Sequence, residues 1–157
     1  MPGGVISAGN ASQFSDGAGA CVVVSEEYAA RHNLQPLGRF LGFAVAGCEP
    51  DEMGIGPVFA VPKVLDRLGL KVSDIDLWEL NEAFAAVVLR YMQAMDIPHD
   101  KINVCGGAIA MGHPLGATGA MITSVVLDEL ERSDKSTALV TLCIGGGMGT
   151  ATVIERV

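Results

Sequence analysis

The alternation of short apolar runs with segments of helical periodicity predicts an α/β fold. At 157 residues the chain has the length of one ordinary domain, and no repeat, low-complexity tract or linker divides it. Half of the residues are hydrophobic and only 18% are charged. Because this is more apolar than a small surface requires, we expect one face to meet another chain or domain.

Five apolar runs predict strands. They span residues 20–24, 39–47, 75–80, 138–144 and 150–154. The last two flank the sequence GGGMG, which is typical of the turn of an antiparallel hairpin.

The spacing of apolar residues predicts helices over residues 25–32, 61–68 and 82–95. In the second of these, Pro62 is expected in the first turn, where proline is tolerated. Asn81 stands where a cap for the third helix belongs. A fourth helix is expected to start at His113 and Pro114, because a proline at the first helical position loses no hydrogen bond.

The helix after Pro114 is apolar or small on every side up to Asp128. A helix of this kind is expected to be buried on every side. One sheet covers only one face, so we expect the other face to meet a layer that a further domain supplies. An ordinary buried helix within a single domain is the alternative.

Charge and composition argue against several classes of protein. The formal net charge of -8, with only 10 Lys and Arg, provides no basic stripe for nucleic acid. The four cysteines form no CxxC pair, which favours reduced thiols in a cytoplasmic compartment, or in an organelle matrix if the source is eukaryotic. We expect no membrane span, because glycines, His113 and Pro114 interrupt the uncharged stretch, and no signal peptide. We also expect no metal site, since no set of ligands is apparent.

Three polar, reactive residues lie in apolar or glycine-rich surroundings at the ends of predicted elements: Asn81, His113 and Cys143. An imidazole at a helix start feels the positive end of the helix dipole, which disfavours protonation and keeps His113 available as a base. Cys143 precedes three glycines whose N–H groups could hold a developing oxyanion. Taken singly, each residue has a structural alternative: a buried cysteine beside a plain turn, and helix caps at His113 and Asn81.

Together, the sequences NEAFA, GHPLGATGA and CIGGGMGTA, in this order, resemble the thiolase family. Its members are coenzyme-A-dependent enzymes that cleave or form 3-ketoacyl thioesters. GNASQFSDGA near the start and DEMGIGPVFA in the middle extend the resemblance from about Ala8 to the end. It implies that residues 1–157 are a thiolase C-terminal domain, a mixed five-stranded sheet with helices on both faces. A similar N-terminal domain would pack against it and share a central helical layer.

The resemblance implies a catalytic role for four residues. His113 resembles the histidine that activates the nucleophilic cysteine and helps to hold the thioester oxygen. Asn81 resembles the asparagine that positions a water molecule for the same oxyanion site. Cys143 resembles the second cysteine, which moves the proton to and from the acetyl carbanion or the coenzyme A thiol. Gly145 is similar to the glycine whose backbone N–H stabilises the oxygen of the acyl-enzyme.

Three further residues resemble parts of the coenzyme A site. Ser12 is similar to a contact of the pantetheine arm, and Ala83 and Phe84 resemble residues that line its channel. The resemblance thus implies coenzyme A and acyl-CoA thioesters as substrates, with no tightly bound cofactor.

The chain also departs from the family pattern. The nucleophilic cysteine of thiolases lies in the N-terminal domain, and no segment here resembles its surroundings; Cys21, Cys48 and Cys105 fall in other contexts. Most contacts to the nucleotide end of coenzyme A also come from outside this region. We therefore expect the N-terminal domain as a missing partner, and a homo-oligomer as the assembly.

The function that the resemblance implies is the acyltransferase domain of a thiolase, acting by Claisen chemistry, with the isolated chain inactive. QFSDG after GNAS resembles degradative, broader-chain thiolases of β-oxidation. Asn81 with a second cysteine argues against the decarboxylating condensing enzymes, which use two histidines. The alternatives are a subunit of a split thiolase, a free-standing non-catalytic module, and, from residue types alone, a self-sufficient Cys-His-Asn hydrolase.

Overall fold

A mixed sheet of four strands, in the order β2-β6-β5-β3, forms the centre of the computed structural model, which describes residues 3–157. The first two residues of the predicted 1–157 domain therefore lie outside the described residues. β6 pairs antiparallel with both β2 and β5, and β3 pairs parallel with β5. The two remaining strands, β1 and β4, form a separate parallel pair. The strands are β1 Phe14–Ser15, β2 Gly38–Gly47, β3 Leu77–Leu80, β4 His113–Pro114, β5 Thr137–Ile144 and β6 Met148–Arg156.

Helices cover both faces of the sheet, as expected for this fold class. The α-helices are α1 Glu26–Arg31, α2 Gly56–Leu68, α3 Ala85–Met95, α4 Ala108–Met111 and α5 Thr118–Arg132. α2 and α3 bury one face of the sheet, and α5 buries part of the other. Side chains alternate along each strand, so in β5 Leu139 packs towards α2 and α3 while Ala138 and Val140 pack towards α5.

Local sequence explains several of these elements. The hairpin of β5 and β6 around GGGMG is confirmed. α1 is confirmed as well, and the Ser25 hydroxyl caps it by accepting the N–H of Tyr28 at 3.1 Å. Gly69 ends α2 in the left-handed region, with φ of 67°, as the sequence predicts. α2 begins earlier than expected, however, so Pro62 lies inside the helix rather than in its first turn.

The predicted strand over residues 20–24 is wrong, and the sheet has four strands in the described residues rather than five. An apolar run becomes a strand only where another strand takes its hydrogen bonds, and no described strand lies beside this one. Val22 and Val23 are instead 89% and 85% exposed. The segment before them crosses the start of α5, where a Cβ on Gly19 would stand 2.7 Å from the Cβ of Ala120.

Two predicted helix starts are also wrong, because long-range backbone hydrogen bonds hold the residues concerned. Asn81 does not cap α3, which begins at Ala85; its N–H donates to Thr141 O at 3.0 Å and extends the pairing of β3 with β5. His113 does not begin α5, since it lies in β4 and its N–H donates to Gln13 O at 2.9 Å. α4 also forms within a segment expected to be a glycine-rich link.

One face of α5 is buried in the described residues, and the opposite face is partly open. Its buried positions are Thr118, Ile122, Val126, Glu129 and Leu130. Ser124, Asp128 and Glu131, on the other side, are exposed. A second layer over this face stays a prediction. Within residues 3–157, no helix combines the length and the apolar character needed to cross a membrane.

A buried hydroxyl in the main core provides a test of the packing. Tyr91 is 1% exposed, lies edge-on to Trp78 with ring centroids 6.2 Å apart, and its hydroxyl has no hydrogen-bond partner among the described residues. Because an unpaired buried hydroxyl is destabilising, Tyr91→Phe should leave the free energy of unfolding unchanged or raise it by about 1 kcal/mol. Chemical denaturation measures this, with Leu139→Ala as a control that should lower the free energy by about 2–5 kcal/mol. A loss of more than about 1 kcal/mol in the phenylalanine variant would show that the hydroxyl has a partner.

Candidate active site

A bridging segment, defined as residues 10–15, joins the loop after β3 to β4. The N–H of Ser12 donates to Ala83 O at 2.9 Å, and the N–H of His113 donates to Gln13 O at the same distance. β1, at the end of the segment, pairs with β4. Two loops that are distant in sequence are thus held side by side through the main chain.

Asn81 and His113 meet in this region, and Thr118 completes the contact. Nε2 of His113 lies 3.4 Å from Nδ2 of Asn81, and Nδ1 lies 2.7 Å from the Thr118 hydroxyl. That hydroxyl donates to Pro114 O at 2.9 Å, so it accepts from a protonated Nδ1. Nε2 then carries a lone pair and accepts from the Asn81 amide. The network therefore selects the neutral imidazole with its base nitrogen towards Asn81.

The pKa of His113 is lowered, as the sequence predicts, but the cause is different. Burial of the ring lowers the pKa by disfavouring the charged form. The histidine is not the first helical residue, because α5 begins only at Thr118. The neutral form thus follows from desolvation and from the hydrogen bonds of the ring.

Asn81 presents an unused acceptor. The residue is 2% exposed, and its Oδ1 has no hydrogen-bond partner among the described residues. A buried amide oxygen without a donor is destabilising unless water or a ligand supplies one. The same amide therefore offers a donor to His113 on one side and an unsatisfied acceptor on the other.

Cys143 lies near the end of β5 and Gly145 follows the strand. Cys143 is two residues beyond Thr141, whose carbonyl accepts from Asn81. Burial raises the pKa of the Cys143 thiol, so it holds its proton at neutral pH. The position that a Cβ of Gly145 would occupy has no heavy atom within 4 Å. Neither residue forms a side-chain hydrogen bond with Asn81 or His113 in the part of the chain that the structure describes.

The residues assigned to coenzyme A by resemblance lie together. Ser12 pairs with Ala83 through the main chain, and Ala11 forms an isolated bridge with Phe84. Ser12, Ala83 and Phe84 are all partly exposed, so they remain accessible from solvent.

Sequence reasoning missed two residues of the site. Thr118 fixes the tautomer of His113, and only its place within GHPLGAT indicated a role. Glu79, on β3, lines the same small cavity as Asn81 and Thr118 and is 2% exposed. Burial, and secondarily the Glu82 carboxylate, raises its pKa to about 8. The signal for Glu79 was an acidic residue inside the apolar run LWEL, two positions before Asn81.

The described residues contain no group of three or more His, Cys, Asp or Glu side chains arranged to hold a metal ion. All four cysteines, Cys21, Cys48, Cys105 and Cys143, are free thiols.

The tautomer of His113 can be tested through Thr118. Thr118→Val removes the acceptor of the Nδ1 proton, so the neutral ring should shift to the Nε2–H form. Long-range ¹H–¹⁵N correlation spectra distinguish the two ring nitrogens directly. Thr118→Ser keeps the hydroxyl and should retain the Nδ1–H form. An unchanged spectrum in the valine variant would refute the assigned role of Thr118.

The buried carboxyl predicts a pH dependence of stability. Because the pKa of Glu79 is about 8 in the folded chain and about 4.5 when exposed, its contribution to the free energy of unfolding is full below about pH 4.5 and is lost as the pH rises from there through 8. The Glu79 contribution amounts to on the order of 1.4 kcal/mol per pH unit within that window. Glu79→Gln should flatten this part of the curve in denaturation measured at several pH values. An identical slope in the glutamine variant would exclude Glu79 as its source.

Comparison with known proteins identifies the family. The family description "Thiolase, C-terminal domain" matches residues 34–156. The chain is 49% identical over 152 residues to 3-ketoacyl-CoA thiolase of Bacillus subtilis, covering 97% of this chain and 39% of that protein. It is 47% identical over 152 residues to the mitochondrial 3-ketoacyl-CoA thiolase of Homo sapiens, with 97% and 38% covered.

Solved structures give the same result. The crystal structure of human mitochondrial 3-ketoacyl-CoA thiolase in complex with CoA superposes with a TM-score of 0.94 at 47% identity, covering 97% of this chain and 39% of that one. The acetyl-CoA acetyltransferase of Bacillus anthracis superposes equally well, at 44% identity and with 97% and 39% covered. The chain thus spans 38–39% of the length of these relatives. By sequence and by fold, the chain belongs to the thiolase family and corresponds to its C-terminal domain.

Proposed function

We propose that residues 1–157 are the acyltransferase C-terminal domain of a thiolase, which cleaves or forms 3-ketoacyl-CoA by Claisen chemistry. The chain would supply the base, the acid/base cysteine and the oxyanion donors. An N-terminal thiolase domain, as a separate part of the same protein or as a second subunit, would supply the nucleophilic cysteine. Support comes from relatives named 3-ketoacyl-CoA thiolase that match 97–98% of the chain.

The observation that carries the proposal is the contact between Nε2 of neutral His113 and Nδ2 of Asn81 at 3.4 Å. Nε2 can accept the proton of an attacking thiol, which makes the thiolate the nucleophile. The protonated imidazole and the Asn81 amide, the latter directly or through water, then face the same point as donors. A thioester oxygen that becomes negatively charged would be stabilised there.

Cys143 suits the second proton transfer. Its raised pKa keeps it a neutral thiol, so it can protonate the carbanion of acetyl-CoA when the bond between C2 and C3 of the 3-ketoacyl chain breaks. The resulting thiolate then takes the proton of the coenzyme A thiol that attacks the acyl-enzyme. Gly145, whose surroundings are open, would hold the acyl-enzyme oxygen with its backbone N–H. The same steps in reverse form the 3-ketoacyl product.

Coenzyme A would bind as a substrate beside the bridging segment, with no tightly bound cofactor. Ser12 would contact the pantetheine arm, and Ala83 and Phe84 would line its channel. A solved relative in complex with CoA supports coenzyme A as the ligand. We further propose degradative use in β-oxidation, a homo-oligomeric assembly, and a location in the cytoplasm or in an organelle matrix. Some of the relatives are named as mitochondrial and peroxisomal proteins.

The Cys-His-Asn hydrolase is disfavoured by the contacts of His113. A self-sufficient hydrolase needs the thiol of Cys143 against a ring nitrogen. Among the described residues, the ring nitrogens contact Asn81 and Thr118, and no contact joins either of them to the Cys143 thiol.

A chimera tests the proposed function. In it the chain replaces the matching segment of the Bacillus subtilis 3-ketoacyl-CoA thiolase, which supplies the remainder of the enzyme. Thiolysis of acetoacetyl-CoA by coenzyme A is followed through the loss of the enolate absorbance. The chimera should be active and the isolated chain inactive. His113→Ala should lower kcat of the chimera by about 10²–10⁴-fold, the contribution typical of a general base.

The matched control is His99→Ala, which removes an exposed histidine and should leave kcat unchanged. Thiolysis by the isolated chain would overturn the claim that the nucleophile comes from elsewhere. An active chimera that tolerates His113→Ala would overturn the assignment of the base.

A further inference from the structure

Glu79 is a buried acid to which the proposed chemistry assigns no task. It lies in β3 between Trp78 and Leu80, with 2% of its surface exposed. Strand alternation points its side chain to the α5 face, the same face as Asn81. Its carboxyl forms no hydrogen bond or salt bridge with any residue that the structure describes. A buried carboxyl with neither a donor nor a counter-ion is stable only as the neutral acid.

The charged and titratable groups around the Glu79 carboxyl do not neutralise it. Glu82, in the loop after β3, adds negative charge, and its own carboxylate accepts the N–H of Ile109 at 3.0 Å. On α5, the guanidinium of Arg132 donates two hydrogen bonds of 2.7 Å to the carboxylate of Glu129. The remaining groups are the thiol of Cys105 before α4, whose pKa is raised, and the neutral ring of His113 on β4. The nearest elements thus offer Glu79 no free cation.

Glu79 and Asn81 border one small cavity together with Gly112 and Thr118. The hydrogen-bonding groups of these two side chains are complementary. Oδ1 of Asn81 is a buried acceptor that lacks a donor, and a neutral carboxylic acid carries one O–H donor. The wall of the cavity is mostly apolar, but the O–H of Glu79 and Oδ1 of Asn81 are two polar partners that a bridging water molecule can use there.

We propose that Glu79, as the neutral acid, is a positioning residue that holds the Asn81 amide in its working orientation through water in the shared cavity. Its proton satisfies Oδ1, so Nδ2 stays directed at His113. An ionised Glu79 would be only an acceptor and would attract Nδ2, turning Oδ1 towards the lone pair of Nε2. The amide would then offer an acceptor where the reaction needs a donor. The role in catalysis rests on the proposed function; the coupling between the two side chains does not.

This coupling predicts an alkaline transition at the site. Since burial raises the pKa of Glu79 to about 8, the amide orientation should change as the pH passes that value. The transition belongs to Glu79 rather than to His113, whose pKa is lowered and which is already neutral there.

The direct test is a titration of the full chain, labelled with ¹⁵N, between about pH 6 and about pH 10, a range that brackets the carboxyl. The side-chain amide of Asn81 and Nε2 of His113 should shift together with a midpoint near pH 8. Glu79→Gln, which resembles the neutral acid in shape and keeps a donor, should abolish the transition. Glu131→Gln, on the exposed side of α5, should leave it unchanged. A wild-type titration without this transition, or one that persists in Glu79→Gln, overturns the proposal.

Activity of the chimera provides a second readout. Glu79→Gln should keep kcat within about twofold of the unsubstituted chimera at neutral pH and remove the Glu79 contribution to the alkaline fall of kcat/KM. Glu79→Leu keeps the bulk but has no donor, so kcat should fall by about tenfold, the effect of one lost hydrogen bond. Equal activity of the leucine and glutamine variants would overturn the positioning role. An inactive chimera whose Asn81 amide still titrates with Glu79 would refute the proposed function but support the coupling.

Discussion

Three backbone hydrogen bonds of 2.9 to 3.0 Å, from the bridging segment to Ala83, Ala85 and His113, hold the candidate site together. The loop after β3 is anchored to the sheet at Asn81, whereas β4 has no strand of the main sheet beside it. Each such bond contributes on the order of 1 kcal/mol, so the three together fix the loops without a large core beneath them. Because main-chain atoms form these hydrogen bonds, the connection does not depend on the side chains of the site residues.

Within this frame, burial sets the charge state of every reactive group. It lowers the pKa of His113 and raises those of Cys143 and Glu79, so a base and two acids are all neutral near pH 7. Neutral groups with defined hydrogen bonds are suited to a reaction in which charge develops only on the substrate oxygen. The chain as a whole has a net charge of -8. Among the described residues in the lining of the cavity, however, Glu82 is the only carboxyl group besides the neutral Glu79.

The elements that could be predicted from the sequence are those specified by residues close together in the chain. The hairpin of β5 and β6, α1 with its Ser25 cap, and the end of α2 at Gly69 all depend on residues a few positions apart. The starts of α3 and α5 were mispredicted because distant carbonyls, at Thr141 and Gln13, hold the preceding residues in extended conformations. The run at residues 20–24 has the composition of a strand, but a strand needs a neighbour that sequence alone does not show. For the candidate site, motif resemblance proposed the residues, while Thr118 and Glu79 emerged only from their positions beside them in the structure.

The geometry of the candidate site requires that the bridging segment and the two site loops form one structural unit. Native-state amide hydrogen exchange of the full chain measures this at the N–H groups of Ser12, Ala85 and His113. If the claim holds, these three amides are protected and open together, with one common free energy and one common response to denaturant. Rapid, independent exchange at Ser12 while β5 and β6 stay protected would contradict it, because the site would then lack the connection on which its geometry depends.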